Sequence, residues 1–350
     1  MPTRRTSVAL AGASLLPAFS QPGMAQPGMA QPGMARPGMV RPGLSQPGLS
    51  QTAWPAARPT EVFVGFSAGG GVDVMARVVA PFLANLLPGA RFLVVNRPGA
   101  GGQLGHEAVA NAPPDGFSIG AATMPGLVSI PIERPVRYRL ADLTFLANVV
   151  EDPCALFVRP ESSLRTLADV IVAGRARPEI LTYGITGIGS DDHLTMFRLE
   201  AATGARLTPV PFPGIGQMLP QVFTGQVDIA AMNVSEALPF MREGRLRGIG
   251  QASATRWPGL PDLPTYREQG LDVLGNASRG FIAPPGLPEE ITQRLLVAFA
   301  AMLADPAFIR EAERLAMPLR PLLGPDYRAA ALAMEVELRS LWAARRWNQG

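Results

Sequence analysis

The chain has 350 residues, 47% hydrophobic and 17% charged, with a formal net charge of +3 at pH 7. That length and apolar content allow two ordinary domains with buried cores and exclude disorder throughout. Of the 31 basic residues, Arg4, Arg5, Arg36 and Arg41 lie in the first 50, which hold no acid, and the remaining 27 face 28 acids. With no clustered basic face, nucleic acid is excluded as a partner.

Residues 1–20 combine Arg4 and Arg5 with an apolar stretch from Val8 to Leu16 and the small residues Ala18 and Ser20. This reads as a secretory leader cleaved after Ser20, with ordinary export favoured over the twin-arginine route. No cysteine lies near the cleavage position, so no lipid anchor is expected, and no later stretch is long and apolar enough to span a bilayer. A soluble periplasmic protein follows, expected as a monomer. Residues 21–50 are six pentapeptides that begin as Gln21-Pro22-Gly23-Met24-Ala25. Pro and Gly at every fifth position prevent a continuous helix or ladder, so residues 21–57 read as a linker.

From residue 61 strands alternate with helices. Strands are expected at 61–66, 91–95, 117–121 and 145–150, with helices at 72–87 and after Gly102. Pro81 falls inside the first helix, where it either bends the helix or ends it. A second series follows: strands at 154–158, 180–184, 206–211, 226–231, 247–251 and 275–283, and helices at 167–175, 193–203 and 215–223. Helices at 288–303, 306–316 and 325–347 finish the chain. The pattern is α/β with mostly parallel sheets. The late helices suggest a return to the first domain, which places lobe 1 at 58–153 and 283–350, lobe 2 at 154–282, and a cleft at a two-crossover hinge.

Two glycine-rich turns each follow a strand and open a helix: Phe66-Ser67-Ala68-Gly69-Gly70-Gly71-Val72-Asp73 and Ile185-Thr186-Gly187-Ile188-Gly189-Ser190-Asp191-Asp192-His193. Glycine admits a tight turn, leaves no Cβ between backbone and ligand, and exposes the first N–H groups of the helix, where the dipole favours an anion. A carboxylate gripped from both lobes is therefore expected. Phe66, Ala68, Gly69, Gly70, Gly71 and Asp73 form the first half of the expected site, and Gly187, Ile188, Gly189, Ser190, Asp191 and His193 the second. Asp73 is expected to hold its turn by accepting backbone amides, and His193 to order the second turn. Thr123 stands after the third strand, where a parallel sheet collects ligands, and Asn233 follows strand 226–231. Arg279 is either a carboxylate partner or a surface ion pair, and His106 either surface or satisfied core.

The residues resemble the Bug-type periplasmic solute receptors of tripartite tricarboxylate transporters, from residue 61 to 347. The resemblance rests on Gly69-Gly70-Gly71-Val72-Asp73, Asn96-Arg97-Pro98-Gly99-Ala100-Gly101-Gly102, Pro114-Asp115-Gly116, Gly187-Ile188-Gly189-Ser190 before His193-Leu194, Val210-Pro211-Phe212, Gly225-Gln226-Val227 and Leu260-Pro261-Asp262-Leu263-Pro264-Thr265, in that order. It implies a two-lobed periplasmic-binding-protein fold of the Venus-flytrap type II class. It also implies a cleft for small carboxylates or amino acids with glycine turns as pincers, and membrane components of a transporter as partners. Two departures stand out: Val72 replaces the family's usual Thr, and Asp191 and Asp192 bring acid to the second turn. A carboxylate about 5 Å from a ligand carboxylate costs about 3 kcal/mol at an effective dielectric near 20. Asp191 either meets a positive group on the ligand or lies in the helix's first turn facing water.

No metal and no cofactor are expected. The lone Cys154 reads as a small buried residue, and His106 and His193 give no zinc spacing. There is no lysine, which rules out a Walker A loop and Schiff-base chemistry. The triple glycine lacks dinucleotide spacing. The remaining alternative is a secreted serine hydrolase, since Gly65-Phe66-Ser67-Ala68-Gly69 matches G-x-S-x-G between a strand and a helix. Too few strands precede the turn for that fold, and neither histidine falls late in the chain, so the protein is read as no enzyme.

Overall fold

The computed structural model describes residues 54–348. The leader at 1–20 and the pentapeptides lie outside the described residues. Trp54, inside the stretch read as linker up to residue 57, already packs on the body. The Trp54 ring is 5% exposed, its Nε1 donates to the Gly116 carbonyl at 2.8 Å, and the Arg294 guanidinium sits 4.6 Å above it.

The first half of the chain is a βα series: β1 (Thr60–Val64), α1 (Gly71–Leu86), β2 (Phe92–Asn96), α2 (Gln103–Ala110), β3 (Ser118–Met124) and α3 (Gly126–Glu133). β1 lies between β2 and β3, parallel to both. α1 runs through Pro81, which lies on the exposed face of the helix. On the other face Val72, Met75, Ala76, Val79 and Leu83 are buried. Each of the four larger side chains contributes about 1.5–3 kcal/mol.

β4 (Thr144–Val158) is a single 15-residue strand where the sequence suggested two. Its first part pairs antiparallel with β9 (Asn276–Ala283) and β10 (Leu319–Leu323), and its second with β7 (Ile229–Asn233) and β8 (Arg247–Gln251). Between these come α4 (Leu167–Ala176), β5 (Thr182–Ile185), α5 (Asp191–Thr203), β6 (Thr208–Pro211), α6 (Ile215–Phe223) and α7 (Val234–Arg242), and after β9 come α8 (Glu289–Ala304), α9 (Pro306–Arg314) and α10 (Gly324–Ala344). The strand order is β2-β1-β3-β9-β4-β7-β5-β6.

Four buried clusters cover the sheet faces. Two gather around β1, β3, β9 and the first part of β4, with α1, α8 and α9 on one side and α3 and α10 on the other. Two gather around β5, β7 and the second part of β4. The result is two doubly wound lobes, with β4 and β9 passing between them. Helices on both faces explain why the strands read as continuous apolar runs.

Candidate functional site

The first glycine turn joins β1 to α1 and is held by Asp73. Asp73 Oδ2 accepts the Gly69 N–H and Arg77 Nε, both at 2.9 Å, and Oδ1 accepts Asn96 Nδ2 at 2.8 Å. Burial pushes this carboxyl up, but the bonds from Arg77, the Gly69 amide and Asn96 outweigh it and hold it below the usual carboxylate range. Gly69 has φ +84°, a left-handed conformation that glycine adopts without strain. The Gly71 N–H points across the cleft and donates to Glu236 Oε1 of α7 at 2.8 Å. A Cβ on Gly71 would stand 2.4 Å from the Arg279 guanidinium, so glycine is required for this close approach.

The turn forms one wall of a cavity of about 30 Å3 between the lobes. That is room for water and not for a solute of several heavy atoms, so the lobes are closed. Phe66, Ser67, Gly70, Gly71, Val72 and Thr123 line it from one lobe; Thr186, Asp191, Gly214, Asn233 and Glu236 line it from the other, with Arg279 of β9 at the crossing. Thr123 and Arg279 are register partners on β3 and β9, which sets both at the cavity. A larger groove of about 830 Å3 runs between α5 and α10, but the smaller cavity lies at the strand ends and gathers the buried ionisable groups.

Those groups form a network around Arg279, which is 4% exposed and is therefore no surface ion pair. Its guanidinium donates to Asp152 Oδ2 at 2.7 Å and Asn233 Oδ1 at 2.6 Å, and lies 3.2 Å from Glu236 Oε1. Asp152 also accepts the Ser235 amide at 3.2 Å and the Ser235 hydroxyl. Asn233 Nδ2 donates to Asp191 Oδ2 at 2.8 Å, and Cys154 Sγ donates to the same oxygen at 3.2 Å. Asp191 therefore faces inward from the first turn of α5, not out to water.

Asp192 is 2% exposed and its Oδ1 has no partner among the described residues. Burial, then Asp191 and Glu236, push its carboxyl well up. Burial likewise raises Asp152 and Glu236, against the opposing pull of Arg279. Four buried carboxyl groups thus crowd around one guanidinium, which ion-pairs with two of them, Asp152 and Glu236. Cys154, Asp191 and Asp192 bring three potential metal-ligand atoms within 4.8 Å, a grouping that sequence spacing did not suggest. Burial and the neighbouring Asp191 push the Cys154 thiol up, so it stays a protonated donor and a poor ligand.

Of the residues singled out in the sequence, Phe66, Gly70, Gly71, Thr123, Asp191 and Asn233 meet at the cavity. Ala68 and Gly69 stand exposed at its rim, and Asp73 lies behind the turn. The second turn reaches the cavity only through Thr186 and Asp191, and its glycines do not open onto it. Ser129 Oγ donates to the Gly189 carbonyl at 2.6 Å, and a Cβ on Gly187 would come within 2.8 Å of Gly101 Cα. Gly187, Ile188, Gly189 and Ser190 are therefore used in packing lobe against lobe. His193 orders this turn, its Nδ1 accepting the Gly189 N–H at 3.0 Å and Ser190 Oγ accepting the His193 N–H at 3.2 Å.

Ser67 has no histidine bonded to it. Neither nitrogen of the buried His106 has a partner among the described residues, His193 is engaged with Gly189, and burial pushes both imidazoles down to about 4. The G-x-S-x-G match therefore carries no catalytic pair. Asp152 and Glu236 were not expected in the site. One signal for Asp152 was the acid pair Glu151-Asp152 set between two apolar runs. For Glu236 it was an acid three residues past Asn233, in the first turn of the helix after β7.

A family model described as "Tripartite tricarboxylate transporter family receptor" matches residues 75–318. Protein BugT of Bordetella pertussis is 30% identical over 267 residues, spanning 71% of this chain and 82% of BugT. Rpa4515 of R. palustris, solved with adipate, superposes with a TM-score of 0.78 at 28% identity, covering 83% of this chain and 97% of that one. MatC of Rhodopseudomonas palustris, solved with bound malate, gives 0.72 at 30% identity, with 82% and 98% covered. Among the described residues no helix is long and apolar enough to cross a membrane. With its two lobes, closed cleft and glycine turn, the chain belongs to the tripartite tricarboxylate transporter receptor family, which comprises solute-binding receptors and not enzymes.

Proposed function

We propose that the chain is a periplasmic receptor that captures a small carboxylate or amino acid between its lobes and presents it to the membrane components of a tripartite transporter. Lobe 1 is residues 58–153 with 283–350, lobe 2 is residues 154–282, and β4 and β9 are the hinge. Gly70, Gly71 and Thr123 hold the ligand from lobe 1, and Asp191 and Asn233 face it from lobe 2. The leader at 1–20 directs export, and the mature receptor acts as a monomer.

The observation that carries the reading is Glu236 Oε1 at 2.8 Å from the Gly71 amide: a carboxylate of the chain itself is seated in the first cradle. Amide groups at a helix start suit this charge. The two solved relatives named above hold adipate and malate, both carboxylates. Ligand binding would draw an open–closed equilibrium toward the closed form through contacts to both lobes.

Calorimetric titration with small mono- and dicarboxylates tests this. Saturable one-to-one binding is expected, weakened about tenfold or more by Gly71→Ala, whose Cβ disturbs both the amide and Arg279. Binding unaffected by Gly71→Ala would move the site elsewhere.

A further inference from the structure

The first cradle is not vacant in the closed protein. Asp73 takes the Gly69 amide and Glu236 takes the Gly71 amide, so an incoming carboxylate that seeks the Gly71 N–H must displace Glu236. Glu236 has one other ionic partner, Arg279 at 3.2 Å, and Arg279 already serves Asp152 at 2.7 Å and Asn233 at 2.6 Å. The Glu236 side chain is 10% exposed, so water compensates it poorly once it is displaced. Asp191, which lines the same cavity, adds a second acid.

We infer that Glu236 is an exchangeable internal carboxylate that selects zwitterions: the ligand carboxylate takes its place on Gly71, and a cationic nitrogen on the adjacent ligand carbon pairs with the displaced Glu236. This rests on the carboxylate-receptor reading. A plain monocarboxylate makes the same exchange and leaves an uncompensated buried charge, and a dicarboxylate adds a further negative charge beside Asp191. Among carboxylates, a ligand whose cation balances its carboxylate keeps the charge count of the cleft unchanged, and an ammonium on a dicarboxylate removes one of its two added charges. Selection works here by penalising the wrong ligand as much as by attracting the right one.

Matched pairs with and without the α-ammonium test the exchange: alanine against propionate and glutamate against glutarate, titrated calorimetrically at pH 7.5. Wild type is expected to bind at least one ammonium-bearing acid about tenfold or more tighter than its partner. Glu236→Gln leaves no charge behind on displacement, so it should shrink that ratio below about threefold by tightening the plain acid. Glu236→Asp keeps the charge and should retain the preference. A merely structural Glu236 would weaken both members of a pair alike. Equal or tighter binding of propionate and glutarate by wild type overturns the zwitterion inference and leaves the carboxylate reading standing. Binding of none of these acids, nor of malate or adipate, overturns both.

Discussion

Replacing Arg279 by methionine is expected to cost about 3–5 kcal/mol of folding stability, read as a lowered denaturant midpoint. The size follows from what the substitution leaves behind. Asp152 is fully buried, and its carboxylate keeps only the Ser235 amide and hydroxyl once Arg279 is gone. Asn233 loses the donor on its Oδ1, and Glu236 loses its ion pair. Asp152→Asn in the Arg279→Met background should recover part of the loss, because the two residues form one network. A loss below about 1 kcal/mol for the single change would mean that the cluster is not built on Arg279.

Asp73→Ala should cost about 2 kcal/mol and weaken ligand binding together, since it frees the Gly69 amide, Arg77 and Asn96 at once. The folded Asp73 carboxyl lies below its ordinary value, so its contribution is present above that ordinary value and is lost as pH falls through the folded one. Asp152, Glu236 and Asp192 run the other way. Their folded values are raised, so stability from them declines as pH climbs from the ordinary carboxylate value through the raised ones. Denaturation curves from pH 3 to 8, roughly the span of carboxylate titration, separate the two. The Asp73→Ala deficit should shrink toward acid pH. An unchanged deficit would mean that Asp73 works by packing alone.

The two-lobed fold and the first cradle were legible because their signals are local. An apolar strand, three glycines and an acid two residues on specify a turn whose own carboxylate collects its own amides. The second turn carries the same local pattern, yet Gly101 and Ser129 fill it, and no property of residues 185–193 announces that contact. The Arg279–Asp152 and Arg279–Glu236 pairs are equally non-local, formed only when β9 returns beside β4 and α7. Prolines account for most of the missed elements. Pro131 and Pro239 interrupt the helix pattern of α3 and α7, and Pro321 that of the strand β10. The sequence reading left residues 151–153 out of β4, although Pro153 holds its place opposite Asn276.

Amide chemical shifts of isotopically labelled protein, followed through titration with an acid that binds by calorimetry, test the central claim most directly. If the ligand enters between the lobes at the first glycine turn, the Gly70, Gly71 and Val72 amides should shift and saturate together with those of Asn233 and Glu236. Saturable binding that leaves these amides unmoved and shifts only residues along the α5–α10 groove would contradict the account.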